Sequence, residues 1–143
     1  MSPRNTPTHS VSVAAAVIDS QGRALAVQRA DNGRWEPPGG VLELDETIPE
    51  GLLREVYEET GLTVEPESVS GVYKNMKAGV VAIVYRCHVT SGELRISDET
   101  TAFAWLEPDE IKQRMNEVFA VRVLDAYEPD GPKVRSHDGV NLL

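Results

Sequence analysis

Cysteine is nearly missing from this sequence: Cys87 is the only one, so no intrachain disulfide can form and nothing requires an oxidising compartment. A cytoplasmic location is the default expectation. Long apolar runs are missing as well. The longest, residues 80–85, has six residues against the roughly 20 that carry a helix across a bilayer, so a membrane-spanning helix is excluded. Residues 1–10 are polar with two prolines and lack the charged head and apolar stretch of a secretory signal, so no signal peptide is expected. Basic residues are in short supply, 14 against 23 acidic ones, which leaves a formal charge of -9. Such a surface repels polymeric nucleic acid and anionic membrane, and a polyanionic small molecule would need a cation as intermediary. Internal repeats and low-complexity tracts are absent too, which excludes a solenoid.

What is present suits one domain. The 143 residues are 41% hydrophobic and 26% charged, ordinary values for a soluble body with a single core. Residues 9–18 are rich in Val and Ala, residues 19–22 supply turn formers, and residues 23–29 alternate with the period of a strand, so a hairpin is expected. Gly33, Pro37, Pro38, Gly39 and Gly40 keep residues 30–40 out of long regular structure and predict a shaped loop. Thr47 followed by Glu50 is a capping box, Pro49 is tolerated in a first turn, and Gly61 suits a left-handed C-cap, which predicts a helix between Thr47 and Gly61. Its apolar side is Ile48, Leu52 and Val56, with Leu53 beside it.

Residues 62–76 and 80–89 read as a second hairpin and residues 101–106 as a short strand. A helix opens at Pro108, and helical periodicity continues unevenly to Tyr127. In residues 128–143 two prolines, two glycines and many charges offer no periodic apolar face, so an extended or mobile tail is expected. The mixed order of elements suits an α/β or α+β layered domain over residues 9–127, preceded by an extension at 1–8 and followed by the tail.

The chemistry concentrates in residues 40–62, GVLELDETIPEGLLREVYEETGL. Glu55, Glu58 and Glu59, at i, i+3 and i+4, fall within an arc of roughly 100° on a helix, and Leu52 and Val56 point away from that arc. Taken alone, such acids most often form a solvated face, with Arg54 paired to Glu58. Yet Glu55 beside Glu59 mildly opposes the helix unless a cation lies between them. Carboxylate oxygens suit Mg2+ or Mn2+, and the lack of a nearby His or Cys cluster argues against zinc. Water attack on phosphorus needs charge neutralisation and a base, and clustered carboxylates with bound metal can supply both.

Gly40, Glu46 and the run Arg54-Glu55-Val56-x-Glu58-Glu59-x-Gly61-Leu62 keep the spacing of a complete Nudix box. On these residues the chain resembles the Nudix hydrolase family, MutT-like members included. Average residue usage puts a chance match on the order of 10⁻⁹ per starting point. The run Trp35-Glu36-Pro37-Pro38-Gly39-Gly40 is similar to the loop that leads into the box in many relatives. The resemblance implies the Nudix fold, a mixed β-sheet sandwiched between helices in an α/β/α arrangement. It implies Glu55, Glu58, Glu59 and Gly39 as metal ligands, catalytic roles for Glu58 and Arg54, and bracing of the box by Arg54 with Glu46. Gly39 and Gly40 would let backbone approach metal and substrate. Two departures are mild: Asp45 stands where Gly is frequent, and Gly51 where Ala is usual.

Glu99, six positions before Trp105, resembles the extra carboxylate that some Nudix enzymes bring to metal or water; Asp98 competes with it, and a solvated turn acid is the plain alternative. Arg29 is the first choice for substrate phosphate, ahead of Arg34, Lys74, Lys77 and Arg86, while Trp35 and Tyr85 could stack on a base but more often pack. His9, His88 and His137 gain no role. The implied activity is that of a pyrophosphohydrolase that uses Mg2+ or Mn2+ to cleave the diphosphate linkage of a small nucleoside diphosphate derivative, with neither membrane nor polymeric nucleic acid as partner. Residues 75–79, Asn-Met-Lys-Ala-Gly, lack the Pro or Tyr marks of some ADP-ribose and dinucleoside polyphosphate enzymes, which favours a nucleoside triphosphate or another small substrate. Two alternatives stand beside it: a regulatory Nudix module that binds nucleotides without cleaving them, in which loss of box acids is expected, and an acidic interaction domain.

Overall fold

Residues 13 to 17, Val-Ala-Ala-Ala-Val, are at most 5% exposed, apolar on both faces of one strand, and a strand of that kind must lie inside a sheet with layers on both sides. This is what the computed structural model, which describes residues 6–143, shows. Strand β1 (Ser10–Val17) lies between β4 (Gly39–Val41), antiparallel to it, and β6 (Val80–Gly92), parallel to it. Continuing with β5 (Leu62–Asn75) and β8 (Lys133–His137), the sheet has the order β4-β1-β6-β5-β8. A second sheet has the order β3-β2-β7, built from Trp35–Glu36, Ala24–Arg29 and Thr100–Leu106.

The first expected hairpin is therefore corrected. Its turn forms as read, with the Asp19 carboxylate accepting from the amides of Gln21 and Arg23 at 2.9 Å each. Beyond the bridge Ile18↔Ala24, however, β1 and β2 part into different sheets. A strand buried on both faces needs partners on both edges, and β4 and β6 supply them.

Period-two alternation along β1 divides the core. Val13, Ala15 and Val17 join Leu25, Leu52, Val56 and Leu62 beneath α1 (Ile48–Thr60). Ala14 and Ala16 join Tyr73, Ile111, Ala120 and Val123 beneath α2 (Pro108–Arg114) and α3 (Glu117–Leu124). Helices thus flank a mixed sheet on both faces, the layered α/β/α arrangement expected. Leu53, expected beside the apolar face of α1, instead points outward at 37% exposure.

The caps of α1 are those the sequence predicts. Thr47 accepts from the Glu50 amide at 3.2 Å, Glu50 accepts from the Thr47 amide at 2.7 Å, and Gly61 closes the helix at φ 82°, where a Cβ would be strained. The uneven periodicity after Pro108 resolves into α2, a break at the extended residues Met115 and Asn116, then α3 and a 3-10 turn at Asp125–Tyr127. The β5–β6 hairpin forms as expected, with register shifts that absorb Pro66.

Of the extended or mobile tail expected, the extended form is found over part of its length. Lys133–His137 pairs parallel with β5 as an edge strand. It is fastened by polar contacts that no hydrophobic pattern announces: Arg135 donates to both oxygens of Asp125 at 2.7 and 2.8 Å, and the Tyr73 hydroxyl donates to the same carboxylate at 2.7 Å. Of the expected extension at 1–8, residues 1–5 lie outside the described residues. Among the described residues no helix is long and apolar enough to cross a membrane.

Candidate active site

The loop entering α1 is gathered onto the helix by one guanidinium. Arg54 donates to Glu46 through Nε at 2.9 Å and Nη2 at 2.6 Å, to the Val41 carbonyl at 3.1 Å, to Glu55 at 2.8 Å and to Glu58 at 3.2 Å. Glu46 also accepts from the Glu43 amide at 2.8 Å. Hydrogen bonds from Arg54 hold the Glu46 carboxyl down at about 2, well below the ordinary value. Gly51 makes room for this crossing, since a Cβ there would lie 2.8 Å from Glu46 Oε1 and collide with Leu42. The departure from Ala at Gly51 thus has a packing reason.

One helical turn later the balance changes. The Glu55 carboxylate lies over Gly40 so closely that any Cβ at Gly40 would overlap it. Burial raises the Glu55 pKa, and Arg54 opposes the rise. Glu59 accepts from the Gly39 amide at 2.8 Å, a contact across 20 positions of sequence. Burial pushes the Glu59 carboxyl up to about 7, helped by the charges of Glu55 and Glu36 and opposed by the Gly39 amide and Arg29. Gly39 is required by the neighbouring strand as well, because a Cβ would strike the Val13 carbonyl. Glu58 stands at the solvent edge of the arc, its side chain 59% exposed.

The three acids match a hard divalent cation in kind, being all-oxygen donors on one helix face. The half-buried pair Glu55 and Glu59 carries negative charge that the single guanidinium of Arg54 offsets only at Glu55. Their side chains are not preassembled around one point: among the described residues no three His, Cys, Asp or Glu side chains form a group that could hold an ion as they stand. Arg54 is the reason, since it turns Glu55 and Glu58 toward itself while Glu59 turns to Gly39.

Beside Glu59 opens a cavity of about 290 Å³ lined by Arg29, Asp98, Glu99 and Thr100 among others. Both Asp98 and Glu99 line it. The Glu99 carbonyl accepts from the Ala30 amide at 2.8 Å, which ties the loop before β7 to the end of β2. Arg29 is brought to the same place, but its donors already serve Asp31 at 2.7 and 2.9 Å and Glu36 at 3.3 Å.

The lesser candidates fall elsewhere. Arg86 donates to the Ala126 carbonyl at 2.9 Å, on the far side of the sheet from α1. Trp35 and Tyr85 are packing residues on the two cores, and the Arg114 guanidinium lies over the Trp35 ring at 5.8 Å. Two residues at the site were missed. Glu36 lines a second, smaller cavity of about 180 Å³ together with Gly39, Gly40, Phe119 and Arg122. The available signal for Arg122 was a lone cation in the otherwise apolar run Val-Phe-Ala-Val-Arg-Val-Leu.

Comparison with known proteins adds three findings. A family model described as NUDIX domain matches residues 8–127. A MutT-like protein of Streptomyces ambofaciens is 58% identical over 137 residues, covering 96% of this chain and 89% of that protein, and an ADP-ribose pyrophosphatase of Methanocaldococcus jannaschii is 34% identical over 90 residues, covering 58% and 53%. The crystal structure of a MutT protein from Methanosarcina mazei Go1 superposes with a TM-score of 0.72 at 28% identity, covering 83% of this chain and 93% of that one.

Proposed function

The chain belongs to the Nudix domain family, and from that premise we propose that it is a pyrophosphohydrolase that splits the diphosphate linkage of a small nucleoside diphosphate derivative by metal-assisted attack of water. The observation that carries this reading is Glu59. A half-buried carboxylate pushed up to about 7 by burial and by the negative charges of Glu55 and Glu36, with a cavity at its side, stands in an environment suited to a cationic, phosphate-binding partner. The names of the Streptomyces and Methanocaldococcus relatives point the same way.

Glu55, Glu58 and Glu59 are the residues that would hold Mg2+ or Mn2+, joined by backbone at Gly39. Neutralising phosphate charge and lowering the pKa of the attacking water is the chemistry the ion supplies when bound. Arg54 orients Glu55 and Glu58 and, through Glu46, fixes the loop that carries Gly40. Glu99, in the cavity beside Glu59, takes the proton of the attacking water in this reading, and Arg29, which lines the same cavity, meets the substrate phosphates. Gly39 and Gly40 let the backbone come close to Glu59 and Glu55, which would place it near the bound diphosphate.

The test is a panel of nucleoside triphosphates, ADP-ribose and dinucleoside polyphosphates, incubated with the full chain and Mg2+ in ¹⁸O-labelled water, with products identified by mass. Cleavage of at least one compound at a diphosphate linkage, one ¹⁸O in the products and loss of turnover in chelator are expected. Full turnover in excess EDTA overturns metal assistance. Tight nucleotide binding without cleavage of any compound turns the reading to a regulatory module.

A further inference from the structure

Arg29 stands where strand β2 becomes irregular: its pairing with β7 shifts register between Gln28 and Arg29, and a bulge of that kind re-aims the side chains beside it. The chain then turns back at once. The Arg29 amide donates to the Arg34 carbonyl and the Gly33 amide to the Arg29 carbonyl, each at 2.9 Å, so residues 30–33 form a short loop that carries Asp31 to the wall of the larger cavity.

Asp31 has no part in the proposed reaction, yet it takes the most useful side of the guanidinium. Its two oxygens accept from Nε at 2.9 Å and from Nη2 at 2.7 Å, which fills one whole edge in the bidentate manner by which arginine also holds two oxygens of a phosphate. Glu36 accepts from Nη1 at 3.3 Å, away from that edge. The two carboxylates differ in cover: the Glu36 side chain is 15% exposed and that of Asp31 is 61% exposed. Water competes for Asp31, and an exposed pair of this kind is held weakly. Glu36, well covered, anchors the guanidinium from the side of the fold.

The cavity wall carries four acids, Asp31, Glu59, Asp98 and Glu99, against the single cation Arg29. An anionic ligand therefore meets one side-chain cation there, with its phosphate-matching edge already filled. We propose, resting on the hydrolase reading in that the ligand carries a diphosphate, that Asp31 is a built-in competitor for phosphate. It holds the Nε and Nη2 edge of Arg29 in the free protein and yields it to a substrate phosphate, while Glu36 keeps the guanidinium in place through Nη1. The exchange leaves Arg29 paired at both stages and needs only the rotation of an exposed side chain. Asp31 retakes the edge as product departs, so it weakens the hold on substrate and product alike.

Calorimetric titration of the full chain with methylenediphosphonate, a diphosphate analogue that resists hydrolysis, at fixed Mg2+ tests this. Asp31→Asn keeps the shape and removes the charge, and it should bind the probe about fivefold more tightly than the wild type. In an Arg29→Met background the same substitution should change affinity by less than about twofold, or leave both proteins without detectable binding, because the competition acts through that guanidinium. Unchanged, weaker or undetectable binding by Asp31→Asn overturns the proposal. A fivefold gain that persists without Arg29 overturns it too, since the cause is then the general repulsion of an acidic cavity. In turnover, Asp31→Asn should lower KM with kcat no higher than in the wild type, whereas a loop merely loosened by the change raises KM. Because titration needs no turnover, the two readings fail separately. Tighter binding by Asp31→Asn with no compound cleaved sinks the enzyme alone, and cleavage without that tightening sinks the competitor alone.

Discussion

The two ends of the acidic segment, from the loop entering α1 to the last turn of that helix, are built from the same residue type and behave in opposite ways. At the N-terminal end Glu46 meets three donors, and its carboxyl is held down at about 2. At the C-terminal end Glu59 has one backbone amide and no guanidinium of its own, and burial pushes it up to about 7. Glu55 sits between, raised by burial and pulled back by Arg54. The contrast separates two tasks within one short motif. Charge that is fully paired fixes a loop, and charge that is left underpaired at a cavity wall is available to a cation and a substrate.

The sharpest way to break this contrast is at the underpaired end. Glu59→Gln keeps shape and helix propensity but removes the charge, so turnover with Mg2+ should fall at least roughly 10²-fold with the fold retained, and Glu58→Gln should fall comparably. Steady-state kinetics with circular dichroism on both variants check it, and near-normal turnover in both returns the acids to a solvated face. In the adjoining cavity Glu99→Gln should lower kcat by roughly 10²-fold with KM little changed, as a base acts mainly in the transition state. Asp98→Asn should stay within about threefold of the wild type, and the reverse ranking would move the base to Asp98.

The paired end should respond through structure. Arg54→Met frees Glu46, Glu55 and Glu58 at once and releases the Val41 carbonyl, so the melting temperature should drop by roughly 4 °C, with some loss of activity. An unchanged melting curve would mean that the loop is held by its hydrophobic contacts alone.

The pH dependence of stability separates the two ends as well, and they carry opposite signs. Glu59 titrates near 7 in the fold against an ordinary 4.5, so the folded protein holds that proton longer. Its stabilising share is present below about 4.5 and is lost as pH rises through about 7. Glu46, held at about 2, contributes above 4.5 and loses its contribution as pH falls toward 2. In chelator, the wild type should therefore lose several degrees of melting temperature relative to Glu59→Gln between pH 5 and pH 8. Parallel melting curves for the two proteins over that range would show that Glu59 ionises without cost.

What the chain settles by itself is local. Thr47, Glu50 and Gly61 act on amides within a few positions, so the limits of α1 follow from neighbouring residues, and the i, i+3, i+4 spacing places Glu55, Glu58 and Glu59 on one face before any packing occurs. Tertiary structure decided the rest because it turned on contacts between distant residues and on burial, neither of which has a local signal. The separation of β1 from β2 depended on which strands could cover both edges of a strand buried on both faces. The tail became β8 through Arg135 and Asp125 rather than through an apolar stripe. The distinction between Glu46 and Glu59, two glutamates of one motif, came from desolvation and from an amide 20 positions away. Spacing can place a carboxylate on a helix face, but only the packed surroundings determine whether its charge is paired.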